Sequence, residues 1–135
     1  MTNLSITKQK NMLRAVMKLV ERSGAAWQEA DVIVDIGGGF PIIHTMAREV
    51  CPCLTAKRAG ERDYWSFRRG RVLNIAEMMR LQGVNPGYFH GWEDLVSPRS
   101  MGTILGNAMT QSIVERVMRS IFISIGVPVK ADRWA

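Results

Sequence analysis

The sequence predicts an α+β fold: a small β-rich middle flanked by helices, ending in a long amphipathic C-terminal helix. Three observations lead there. Apolar residues recur at helical spacing near both ends, over residues 7–22 and from Ala108 to Phe122. Between them lie short β-branched or mixed runs punctuated by Gly, Pro and Asn. The 135 residues leave too little chain for the large parallel sheet of a complete doubly wound domain.

The first helix is expected over 7–22. Met12, Val16, Leu19 and Val20 form its apolar stripe, widened by Leu13 and Met17, and Gly24 is its stop. Lys10, Arg14, Lys18 and Arg22 recur every fourth residue, a basic ridge that reads first as a solvated face and second as a phosphate-tracking one. Val32-Ile33-Val34 is a buried strand by its β-branching, released by the turn Asp35-Ile36-Gly37-Gly38-Gly39. Pro41 to Val50 is a short helix or irregular. Cys51 to Phe67 reads as two small strands around Ala59-Gly60.

Asn74 is placed as an N-cap with Glu77 as its capping-box partner, opening a helix to Gln82 that stops at Gly83. Asn85-Pro86-Gly87 is a turn, and Ser97-Pro98 starts another helix, which Gly106 breaks. The last helix then carries Met109, Ile113, Val114, Val117, Met118, Ile121 and Phe122 on one face. Gln111, Ser112, Glu115, Arg116 and Arg119 take the other.

Lys and Arg total 18 against 12 Asp and Glu, a net charge of +6 that suits an acidic partner such as nucleic acid. Cys51 and Cys53 are too close in sequence for a sound mutual disulfide, and a reducing intracellular setting is expected. No apolar run reaches the ~18 residues of a membrane span, and Met1 to Lys10 lacks a signal core. His44 and His90 are isolated, and no spacing suggests a metal site. Trp27, Trp65, Trp92 and Trp134 are dispersed and read as packing residues.

Two segments carry a resemblance. Arg71-Val72-Leu73-Asn74-Ile75-Ala76-Glu77-Met78-Met79-Arg80-Leu81-Gln82-Gly83 and Leu105-Gly106-Asn107-Ala108-Met109 resemble, in order and spacing, the last two conserved blocks of the DNA (cytosine-5) methyltransferase family. There the first block reads roughly R-x-L-T-x-x-E-x-x-R-L-Q-G, and the second, G-N-A-V, opens a long apolar helix. The chain departs at Val72 and Ala76.

The resemblance implies that Arg71, Glu77, Arg80, Gln82 and Gly83 organise the architecture. It also implies that Gly106, Asn107 and Ala108 lie against S-adenosylmethionine. For the cofactor, a glycine allows close approach and a helix N-terminus offers N–H groups to a carboxylate. Pro52-Cys53-Leu54-Thr55-Ala56-Lys57-Arg58 resembles the stretch bordering the DNA-facing lobe. Thr55, Lys57, Arg58 and Arg62 are the DNA contacts it implies, with about three phosphate contacts and a salt slope of roughly −2.7. Cys53 is not the family's Pro-Cys-Gln nucleophile, since Leu54 stands where Gln would.

On this reading residues 1–135 are one C-terminal methyltransferase segment. About 1–70 form the recognition lobe, and about 71–125 form the conserved blocks and returning helix. The family's catalytic blocks precede this segment, so no catalytic residue is assigned here. Activity then requires a catalytic partner chain or N-terminal part. DNA is the expected partner, and the setting is nuclear in a eukaryote or cytoplasmic in a bacterium or virus. Two alternatives stand beside it. One is a non-catalytic basic nucleic-acid-binding module. The other is a small S-adenosylmethionine-dependent methyltransferase that uses the strand-to-glycine turn at Gly37–Gly39.

Overall fold

The computed structural model describes residues 4–23, 31–38 and 51–130. Helix α1 spans Ile6–Ser23, and β1 (Ile33–Asp35) follows. Then come α2 (Ala56–Gly60), β2 (Tyr64–Ser66), β3 (Arg71–Val72) and α3 (Ile75–Leu81). A 3-10 turn at Pro86–Tyr88 leads to α4 (Trp92–Leu95), α5 (Pro98–Asn107) and α6 (Gln111–Ser124). The fold is α+β.

The strands form one antiparallel sheet in the order β1-β2-β3, with Val34 opposite Trp65 and Trp65 opposite Val72. Strand periodicity sends alternate residues to opposite faces. Val32, Val34 and Ile36 join Ala15 and Leu19 of α1, with Phe67 and Val72, in one apolar cluster. Ile33 faces the other way, towards a cluster of Tyr64, Leu73, Met78, Met79, Met101 and Leu105. The sheet therefore lies between α1 on one side and α3 with α5 on the other. Because β3 pairs with β2, residues on either side of position 70 share this sheet.

Of the two strands expected around Ala59-Gly60, the second is present as β2, and α2 takes the place of the first. Ala56-Lys57-Arg58-Ala59 are good helix formers, and Thr55 enters them extended (φ −105°, ψ 149°). Gly60 ends the helix, and its missing Cβ makes room: a Cβ there would fall 2.5 Å from Thr103 Oγ1. Two glycines of α5 face the same helix. A Cβ on Gly102 would sit 2.4 Å from the Ala59 carbonyl oxygen, and one on Gly106 2.4 Å from the Ala56 nitrogen. Helices α2 and α5 thus meet backbone to backbone through a small-residue seam. Gly106 lies within α5 as part of this seam.

Helix α1 has its expected extent, but its buried line is Asn11, Ala15 and Leu19, while Leu13, Met17 and Val20 are exposed. Asn11 is buried because its amide donates to the carbonyls of Ile36 and Gly38, 2.8 Å each. The expectations at Gly24, Gly39, 41–50, His44, Trp27 and Trp134 lie outside the described residues, as does the side chain of Arg22. Trp65 and Trp92 pack at the edges of the two clusters.

Candidate functional site

The first block is held by a charge-assisted cap. Asn74 Oδ1 accepts from the Glu77 N–H at 2.8 Å, and Glu77 Oε2 accepts from the Asn74 N–H at 2.8 Å. Arg71 donates to both Glu77 oxygens, 2.8 Å each, and Arg69 reaches Oε1 at 2.7 Å. Glu77 is only 9% exposed. The Arg71 hydrogen bonds hold its carboxyl below the ordinary range, outweighing the opposing effect of burial. The same bonds raise the Arg71 guanidinium further. The capping box expected of Asn74 and Glu77 is present in full.

At the other end of α3, Gly83 (φ 76°) turns the chain left-handed. Its N–H donates to the Arg80 carbonyl at 2.9 Å and the Val84 N–H to that of Met79 at 2.9 Å, the pattern of a Schellman stop. Arg80 is exposed. Gln82, buried, ties the two blocks together. Its amide donates to the carbonyls of Leu105 (2.9 Å) and Ala108 (3.3 Å), and its Oε1 accepts from the Thr110 hydroxyl at 2.9 Å. The Gln82 carbonyl takes the Gln111 N–H at 2.8 Å.

These bonds correct one expectation. Asn107 does not begin the last helix: it is the final residue of α5, with Ala108 as C-cap, and α6 begins after Thr110. The Gln82 contacts hold 108–110 as a connector between α5 and α6. A helix C-terminus presents carbonyls, so the N–H cradle expected for a carboxylate at Asn107 is not built there. Gly106 and Ala108 line a cleft of about 390 Å³ with Cys51, Pro52, Gln82 and Met109, while Asn107 is exposed outside it. Burial and the neighbouring Cys53 push the Cys51 thiol up to about 11, which keeps it protonated and unreactive near neutrality.

Of the expected DNA contacts, Thr55, Lys57 and Arg62 are exposed along the α2 segment. Tyr64 anchors its start, donating to the Cys53 carbonyl at 2.8 Å and accepting from the Thr55 N–H at 2.9 Å. Arg58 is committed elsewhere. It donates to the Gly37 carbonyl and lies 3.4 Å from Asp35 Oδ2 and 3.5 Å from Asp63 Oδ2. Asp63 is wholly buried; its Oδ1 has no aligned hydrogen-bond donor but sits 2.5 Å from the Lys8 ammonium. Two cations thus neutralise a carboxylate that would be costly to bury alone.

The same network occupies the glycine turn. A Cβ on Gly37 would fall 1.7 Å from Asp63 Oδ2, and the Gly37 N–H already donates to Asp35 Oδ1 at 2.9 Å. The glycine therefore serves close packing on a buried ion cluster, and β1 before it runs antiparallel to its neighbour. Among the described residues, no His, Cys, Asp and Glu side chains converge as metal ligands, and no helix is long and apolar enough to cross a membrane.

Helix α6 completes the picture. None of its residues is buried, and Ile113, Val117, Met118, Ile121 and Phe122 are all exposed. Comparison with protein-family models, curated proteins and solved structures finds no match to the chain.

Proposed function

We propose that this chain is the C-terminal, DNA-recognising and cofactor-adjacent part of a DNA (cytosine-5) methyltransferase, which works with a catalytic part supplied from outside residues 1–135. The observation that carries this reading is the Gln82 clamp. The two blocks that resemble the family's are joined physically through the glutamine of the first and the carbonyls of the second. The Arg71–Glu77 pair and the left-handed stop at Gly83 support the architectural roles that the resemblance implies for these residues. The apolar face of α6 is the proposed seam to the catalytic part, and S-adenosylmethionine would be shared across it, near Gly106 and Ala108. The proposed setting is intracellular.

DNA is met by the exposed Lys57 and Arg62, with Thr55 beside them. With Arg58 withdrawn, about two phosphate contacts remain, and the salt slope softens to roughly −1.8. Reversing the charges of Lys57 and Arg62 lowers duplex affinity, whereas reversing Lys10 and Lys18 has a smaller effect. Affinity that ignores both salt and Lys57 would remove the recognition role.

On this reading the isolated chain transfers no labelled methyl to duplex DNA, because the family's nucleophile belongs to the catalytic part, and it binds S-adenosylmethionine negligibly, because the cofactor is shared with that part. Tight cofactor binding by the chain alone would instead favour the small-methyltransferase alternative at Gly37–Gly39. The occupied turn gives that alternative no support. A basic binding module without methylation remains the reading to adopt if DNA binds but no catalytic part restores transfer.

A further inference from the structure

The cleft of about 390 Å³ beside the α5–α6 connector is lined by both cysteines of the chain and by Met109. Three sulfur-bearing side chains therefore share one lining, and among the described residues no charged side chain joins them there. The polar groups of the cleft are spent on one another. Gln82 holds the Leu105 and Ala108 carbonyls and the Thr110 hydroxyl. Cys51 and Cys53 are free thiols, and the contact of Cys53 to the Leu54 carbonyl is long, at 3.9 Å. Cys51 is half-buried and Cys53 exposed, with Pro52 buried between them, and Met109 is 72% exposed. Sulfur is thus the donor that this cleft has left to offer a ligand.

The one-residue gap that makes a poor disulfide makes a workable pair of ligands. A disulfide draws its sulfurs to about 2.05 Å, whereas two sulfurs on one ion, each about 2.3 Å from it, stand up to about 4.6 Å apart. Cα atoms two residues apart are separated by no more than about 7 Å, so the wider spacing suits two short arms on that stretch. Among the described residues no third His, Cys or carboxylate joins the pair, which leaves the set short of the four donors of a structural zinc site. The third donor is the Met109 thioether. Thiolate and thioether are soft donors, and they select the cuprous ion over magnesium, calcium or manganese. A coordinated thiol is deprotonated by the metal, so the proton on free Cys51 does not bar binding.

We propose that Cys51, Cys53 and Met109 hold one cuprous ion through their sulfur atoms. The site is independent of the methyltransferase reading and needs no catalytic part. Gly106 and Ala108 line the same cleft, so the ion would stand beside the place proposed above for S-adenosylmethionine. The isolated chain, which is not expected to hold that cofactor, is therefore the protein to test.

The test is a competition on the 135-residue chain, without oxygen and under a thiol-free reductant. Cuprous ion is presented as its coloured complex with bicinchoninate, and loss of the colour reports transfer. The chain should withdraw one copper per molecule. Losing even an outer-shell partner costs a metal site about 10- to 100-fold, so Cys51→Ser and Cys53→Ser should each weaken retention about 100-fold or more, and Met109→Leu about tenfold. Cys53 and Met109 are exposed, so Cys53→Ser and Met109→Leu should keep the wild-type melting temperature and decide the matter even if Cys51→Ser fails to fold. X-ray absorption should show a copper shell of sulfur alone.

No transfer from bicinchoninate overturns the proposal, as does retention that Cys53→Ser leaves unchanged. Retention that needs the cysteines but ignores Met109→Leu removes the thioether, and with it the three-sulfur site. A shell containing nitrogen or oxygen, or zinc bound more tightly than copper, refutes it as well. Failure here leaves the DNA reading standing, because that reading is decided by duplex affinity and its response to salt.

Discussion

Helix α3 spans seven residues and buries Ile75, Glu77, Met78 and Met79; helix α6 spans fourteen and buries none. A seven-residue helix is too short to persist alone in water. What fixes α3 is its surroundings: a capping box, a bidentate arginine, a glycine stop and two methionines in the core. Helix α6 has a comparable apolar stripe with no buried residue, and no surface among the described residues receives it. Periodicity therefore tells which face of a helix is apolar, but not whether the receiving surface belongs to the same chain. Exposed apolar area of this kind marks an interaction site or an association liability.

Substitutions on the packed side should be costly and those on α6 nearly silent in the isolated chain. The largest loss is expected at the α2–α5 seam. Gly102→Ala and Gly106→Ala each drive a Cβ to 2.4 Å from backbone atoms, which cannot rotate away. We expect about 3 kcal/mol each, read by urea unfolding. A loss below about 0.5 kcal/mol would mean that the two helices separate freely.

Next comes Glu77→Gln, which weakens the cap and the Arg71 pair. Arg71 is 40% exposed at its side chain, so solvent screens part of the pairing, and about 2 kcal/mol is expected. The same residue sets an acid dependence. Its folded carboxyl titrates below the ordinary 4.5, so its contribution is complete above that value and is lost as pH falls through the lowered one. Unfolding midpoints followed from about pH 6 to 3 should drop in the wild type more steeply than in Glu77→Gln. Parallel curves would remove Glu77 from the account.

Gly83→Ala should cost about 1 kcal/mol. A Cβ there meets nothing nearer than 3.5 Å, so only the positive φ opposes it.

Much of the packed side was legible in advance. Asn74 with Glu77, Gly83, and Ser97-Pro98 are local signals, each satisfied by atoms a few residues away, and all appear where the sequence placed them. The strand at Val32–Val34 was visible from its β-branching. The failures were non-local. Ala59-Gly60 looks like a turn until Thr103 and Arg99 of α5 are seen against it. Asn107 looks like a helix start until Gln82 takes hold of the following connector. Arg58 looks like a free cation until Asp35 and Asp63 are brought to it from different parts of the chain. For Gly102 and Gly106 the signal was present in their four-residue spacing on one helix face, which suits close helix contact.

The smallest expected effect on folding is also the most direct test of the central claim. Val117 is 53% exposed, so Val117→Asp should change the stability of the isolated chain by less than about 0.5 kcal/mol. Sedimentation of the two proteins at matched concentration separates the accounts. If the α6 face is a seam for another chain, the wild type self-associates or aggregates when alone, and Val117→Asp sediments as a folded monomer. A wild type that sediments as a compact, stable monomer, with Val117→Asp merely unfolding it, would contradict the account and return α6 to this chain's own core.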